Sequence, residues 1–171
     1  MSKASEIVFR KSIIMFLKDL EQPPLLTNRL LIFRVGTRLC GLPLEYVVET
    51  MRPMALEMFP GLPSYVMGIS IIRGKAVPVL CVACLLVDEQ QDPERFISII
   101  IGERMAALAV GEVLGIRSVG VDASSELPPL LGELGSEVLA GLGKLDSELV
   151  AILQTGSLIP DSLWEKIEVA P

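Results

Sequence analysis

Apolar and polar positions change their rhythm near residue 28. Before it, Phe9, Ile13, Phe16 and Leu20 recur at spacings of three and four. That places them on one face of an amphipathic helix over residues 1–22, which Pro23-Pro24 ends. After it, short strand-like runs follow one another: "LLIFRV", "RLCGL", "YVVETM", "VMGISII", "KAVPVLCVACLLV", "FISIII", "RMAALAV", "VLGIRSVGV", "GLGKL" and "ELVAILQ". Turn signals separate them, at Gly36-Thr37, Arg73-Gly74, Gly102-Glu103 and Asp146-Ser147. A short helix is expected between Gly132 and Leu139, and another over Pro160–Ile167, where Asp161-Ser162 supplies the start signal.

About ten closely spaced strands with little helix predict an all-β body, barrel or sandwich. Many of the runs are apolar without clean alternation. Strands buried on both faces account for this, as where two small barrels press on a shared core.

Composition narrows the function. The chain has 171 residues, enough for one domain or two subdomains sharing a core. Its net charge is −6 and no basic stripe is present, which argues against nucleic acid and anionic membrane as partners. Apolar residues reach 51%, but every long apolar stretch is strand-sized rather than membrane-spanning. The surplus is expected in the core and in a contact surface. Charged residues interrupt the amino terminus, so it does not resemble a secretory signal, and a cytoplasmic setting is expected.

There is no histidine and there are only three cysteines. A hydrolase triad or a four-ligand zinc site cannot be assembled from that set. No phosphate-binding glycine motif is present. No catalytic residue, metal or cofactor is expected. Cys81 and Cys84 form a C-x-x-C, which offers a thiol oxidoreductase as an alternative function. Redox pairs of this kind sit at helix starts, whereas this one falls in what reads as a strand. Buried cysteines acting as small apolar side chains are the preferred reading. Glu45, Glu49 and Glu57 supply carboxylates, each expected to face solvent unless partnered.

Arg73 stands out, because a guanidinium between two buried strands must leave the core at the turn. It either snorkels to solvent or pairs with a carboxylate on a neighbouring strand, with Glu49 in "YVVETM" the best candidate. A paired arginine rimmed by apolar residues also makes a protein-binding determinant.

The ordered set "LIFRVG", "LPLEYVVET", "FPGLPSYVMGISIIRGKAVPVL", "RFISIIIGERMAALAVGEV" and "VLAGLGKLDSELVAIL" resembles the CheW-like domain family of bacterial chemotaxis, over about residues 29–160. The resemblance implies two five-stranded SH3-like β-barrels around a hydrophobic core. The expected division is a helical extension at 1–28 and a CheW-like domain at 29–171. It implies no enzymatic activity. The expected partners are the CheW-like regulatory domain of the histidine kinase CheA and the cytoplasmic tip of the chemoreceptors, with recruitment to membrane receptor arrays. The expected protein-binding positions are Val47, Glu49, Gly68, Arg73 and Gly74, with Arg73 and Glu49 paired. Three positions depart from the family pattern, each losing a polar group in or near a loop: Ile71 for asparagine, and Cys81 and Gly111 for aspartate. A divergent member is therefore expected. It serves either receptor-to-kinase coupling or, as an alternative, a non-chemotaxis array such as surface motility. In the latter it binds other CheW-like domains without recognising receptors.

Overall fold

A computed structural model describes residues 29–121 and 138–169. The expected helices at 1–22 and 132–139 fall essentially outside those residues. The elements run β1 Arg29–Val35, β2 Arg38–Pro43, a 3-10 turn, β3 Val47–Met51, β4 Val66–Ile72, β5 Lys75–Cys81 and α1 Val82–Val87. Then come β6 Arg95–Ile101, β7 Arg104–Val110, β8 Val113–Ser118, β9 Gly120–Val121, β10 Leu139–Leu145, β11 Glu148–Leu153, a second 3-10 turn and α2 Asp161–Val169. The all-β body and the short carboxy-terminal helix agree with expectation.

The strands form two sheets, ordered β8-β1-β2-β11-β10-β9 and β3-β6-β7-β5-β4. Pairing is antiparallel except for β11 with β2 and β5 with β7. In the first sheet β8 and β9 occupy opposite edges, yet only Val119 separates them in sequence. A flat sheet cannot place consecutive residues on opposite edges, so this sheet closes on itself, with β8 and β9 acting as one bent strand. Counted so, it is a five-stranded barrel, barrel one.

The second sheet closes through different contacts. Glu57, in the segment joining β3 to β4, exchanges two backbone hydrogen bonds of 2.8 Å with Ile69 of β4. Arg73, at the β4–β5 turn, pairs with Glu49 on the opposite edge strand β3. This is barrel two.

The two-sided apolar runs now have a cause. On β1, Leu30 and Ile32 fill barrel one while Leu31, Phe33 and Val35 face the core between the barrels. On β7, Ala107 and Ala109 fill barrel two while Ala106, Leu108 and Val110 join that shared core. Successive strand residues point to opposite faces, and both faces are buried. Small alanines in β7 suit the narrow barrel interior, and the larger Leu108 and Val110 suit the interface. Barrel one is built from both ends of the described chain, and barrel two is the continuous stretch between.

"KAVPVLCVACLLV" is not one strand: β5 ends at Cys81 and α1 follows. Pairing with β7 stops at Cys81 opposite Ala109. From Val82 only one side is covered, with Val82 and Ala83 buried and Cys84 through Val87 half-exposed. An apolar run alone does not distinguish a buried strand from a short packed helix.

The carboxy-terminal helix α2 seals the shared core with Leu163 and Trp164. Arg104 at the start of β7 lies over the Trp164 ring, 5.2 Å from its centroid, and reaches Asp161 and Glu168 at 3.4 and 3.3 Å.

Candidate functional site

Arg73 and Gly74 form the two-residue turn between β4 and β5. Their φ angles are +50° and +76°. Two successive left-handed residues make the hairpin turn whose twist matches the flanking strands. Glycine adopts that conformation freely. An arginine does not, and its presence there is a local strain of the kind that clusters at functional positions.

The strain is offset by a bidentate contact. Arg73 Nε donates to Glu49 Oε1 at 2.6 Å and Nη2 donates to Glu49 Oε2 at 2.7 Å. These hydrogen bonds hold the Glu49 carboxyl below its usual range and raise the guanidinium above its own. Glu49 is 27% exposed and Arg73 is 72% exposed. The carboxylate is thus the anchor, and the guanidinium keeps an open face toward solvent. The pairing expected from the sequence is present; Glu45 and Glu57 are exposed, as expected.

A β-bulge sets which way Glu49 points. Val47 pairs with Ile99 and Glu49 with Ser98, so Val48 is the extra residue. Ser98, fully buried in β6, donates from its hydroxyl to the Glu49 carbonyl at 3.4 Å. The bulge also separates the two valines. Val47 packs against the shared core, whereas Val48 is exposed. Among the two, the outward apolar side chain is Val48, which the sequence reading had not singled out. Ile100 on the adjacent strand β6 is exposed as well. No short-range pattern announces a bulge of this kind.

Gly68 lies at the other end of β4, five residues and about 17 Å from Arg73 along an extended strand. Its φ is +148°, and a Cβ there would stand 2.7 Å from the Glu57 carbonyl oxygen. Its geometry serves the backbone contact that closes barrel two. Of the five expected positions, Glu49, Arg73 and Gly74 therefore form one constellation, Val47 supports it from inside, and Gly68 stands apart.

The three departures have structural correlates. Ile71 is not in a loop but on the outer face of β4, 59% exposed, two residues from Arg73. Cys81 is the N-cap of α1, its sulfur accepting from the Cys84 N–H at 3.3 Å. It fills the role an aspartate would fill better. At Gly111 an added Cβ would meet the Arg34 carbonyl oxygen at 2.8 Å, because Gly111 N–H donates to that oxygen. Close approach to β1 leaves no room for a side chain. The Gln91 side chain comes near the same place and accepts from the Gly36 N–H at 3.0 Å.

The C-x-x-C therefore does sit at a helix start, contrary to the strand expected. The Cys84 thiol is pushed up to about 12 by desolvation, by its hydrogen bond to Cys81 and by the nearby charge of Asp88. A thiol held there is almost wholly protonated near neutrality, the opposite of an activated redox nucleophile. Among the described residues no group of three histidine, cysteine or acidic side chains could hold a metal ion. Nor is any helix there long and apolar enough to cross a membrane.

Two closed barrels on a common core, with an arginine–carboxylate clasp on the second, define a class that the wider comparison identifies. Residues 29–162 match the CheW-like domain, and the chain belongs to that family. Protein FrzA of Myxococcus xanthus is 32% identical over 123 residues, covering 70% of this chain and 76% of FrzA. Protein PilI of Pseudomonas aeruginosa is 30% identical over 102 residues, 57% of each chain. Chemotaxis protein CheW of Helicobacter pylori is 22% identical over 133 residues, covering 74% of this chain and 78% of that one. The crystal structure of the scaffolding protein TtCheW from Thermoanaerobacter tengcongensis shares the fold. Its TM-score is 0.63 at 24% identity, covering 74% of this chain and 83% of that one.

Proposed function

We propose that this chain is a non-enzymatic adaptor that couples chemoreceptors to a CheA-type histidine kinase. Residues 29–171 act as the folded unit and residues 1–28 as an extension. The observation that carries the reading is the Glu49–Arg73 clasp in a CheW-like domain. It holds a mostly exposed guanidinium at the tip of barrel two, on a barrel whose outer face also shows the apolar side chains of Val48, Ile71 and Ile100. An anchored arginine with apolar neighbours is the composition of a binding hot spot. Recognition is by docking alone, with no group transferred, and the adaptor reaches the membrane through its receptor partner.

The test is reconstitution with receptor and kinase. Arg73→Ala is expected to weaken receptor-dependent kinase activation while the domain stays folded, its urea unfolding remaining a single cooperative transition. Normal coupling by that variant would remove Arg73 from the site.

Ile71 favours a second reading. An exposed isoleucine stands where the family carries asparagine, and two relatives, FrzA and PilI, are not named for chemotaxis. On this reading the chain scaffolds other CheW-like domains and no longer recognises receptors, as in an array serving surface motility. Robust capture of a receptor hairpin fragment by the purified chain would eliminate it.

A further inference from the structure

The three cysteines are not equivalent. Cys40 is fully buried in the shared core. Cys81 and Cys84 stand together where β5 passes into α1, with their sulfurs 2.8 Å apart. Both line a cavity of about 420 Å³ that Met58, Met67 and Gln91 also line. Cys84 is half-exposed, and its thiol also comes within 3.3 Å of the Glu89 carbonyl oxygen. The segment after α1 is thus tied back by a thiol, and Gln91 within it holds the Gly36 turn.

We propose that Cys81 and Cys84 form a modification site: a reversible intrachain disulfide made by a hydroperoxide, which releases the Glu89–Gln91 segment. The chemistry balances with the peroxide as oxidant. Cys84, facing the cavity, loses its proton, and its sulfur attacks the terminal peroxide oxygen. The O–O bond breaks, the alkoxide departs and takes up that proton as an alcohol, and Cys84 becomes a sulfenic acid. The Cys81 sulfur then attacks Cys84 Sγ. The S–O bond breaks, and the hydroxyl leaves with the Cys81 proton as water. Two thiols are oxidised by two electrons in all, and the peroxide is reduced to alcohol and water. A thiol so little ionised attacks slowly. The disulfide is therefore slow to form, unlike a catalytic one. Its formation removes the thiol proton that reaches Glu89, while the helix start itself suits a C-x-x-C bridge. This site is independent of the coupling function proposed above.

The full chain is reduced, exposed to tert-butyl hydroperoxide, unfolded and alkylated. One alkylated thiol is expected in place of three, with all three restored by dithiothreitol, and peptide mapping should place the link between Cys81 and Cys84. Cys84→Ser should show no reversible loss. Hydrogen exchange at Glu89–Gln91 should quicken on oxidation in the parent and not in that variant. The proposal is overturned if all three thiols survive the peroxide or if the link joins two chains or includes Cys40. It is equally overturned if Cys84 passes to an irreversible acid with Cys81 still free, or if exchange at Glu89–Gln91 does not change once the disulfide has formed.

Discussion

Replacing Gly68 with alanine tests whether that glycine is a docking contact or a structural one. At φ +148° an L-residue is held in a region open to glycine almost alone, which costs about 1–3 kcal/mol. The new Cβ would also lie 2.7 Å from the Glu57 carbonyl oxygen. That atom belongs to the backbone and cannot swing aside, so the segment must lift from β4. Lifting it breaks the two 2.8 Å hydrogen bonds between Glu57 and Ile69, each worth about 1 kcal/mol net. The combined loss is about 3–5 kcal/mol, a large share of the ~5–15 kcal/mol that holds a domain folded. With a urea dependence of about 2 kcal/mol per molar, the unfolding midpoint should fall by ~1.5–2.5 M. Amide exchange at Glu57 and Ile69 should quicken in the same variant. Stability within about 1 kcal/mol of the parent, with both amides still protected, would refute the closure argument. It would also return Gly68 to the list of docking residues. Until then, lost coupling in a Gly68 variant is expected to report a loosened barrel.

Three further outcomes follow from the same geometry. Because Arg73 holds the folded Glu49 carboxyl below its usual range, the clasp contributes stability above that range and loses it as pH falls through the lowered value. The stability gap between parent and Glu49→Gln should therefore be constant above pH ~5 and close only at more acid pH; urea midpoints across pH 3–7 check this, and a gap that closes near neutrality would contradict it. Leu108→Ala empties a fully buried position in the shared core and should cost about 2–5 kcal/mol, read by chemical denaturation. Arg104→Ala removes the cation–π contact and both ion pairs to α2. It should cost only about 1 kcal/mol, yet shift the fluorescence of the chain's one tryptophan, which is Trp164; an unchanged spectrum would show that α2 is held by Leu163 and the core alone.

The strands and hairpins were legible because they rest on local chemistry. Gly36-Thr37, Gly102-Glu103 and Asp146-Ser147 mark real turns, and the two-sided apolar runs mark strands covered on both faces. Arg73–Glu49 was legible for a related reason: a charge forced out of a core needs a partner, and few carboxylates lie on nearby strands. What stayed hidden depends on contacts distant in sequence. The bulge at Val48 is set by register against β6, so the chain alone did not tell Val47 from Val48. The end of β5 at Cys81 is set by where β7 stops pairing, which an unbroken apolar run conceals. The bare backbone at Gly111 answers to β1, 77 residues earlier at Arg34. Arg104 over Trp164 joins positions 60 apart with no motif between them.

Barrel one pairs β2 with β11 in parallel, joining Cys40 to Ala151. That strand pairing cannot exist on the ribosome until β11 has emerged, long after β2 and with all of barrel two in between. The strand pairings of barrel two all lie within its own continuous stretch. Vectorial synthesis therefore lets the inner barrel pair its strands while the β1–β2 hairpin still lacks β11, its β2 edge bare. Such long-range pairing is slow and prone to aggregation, so the nascent hairpin is the segment for which a chaperone would matter most.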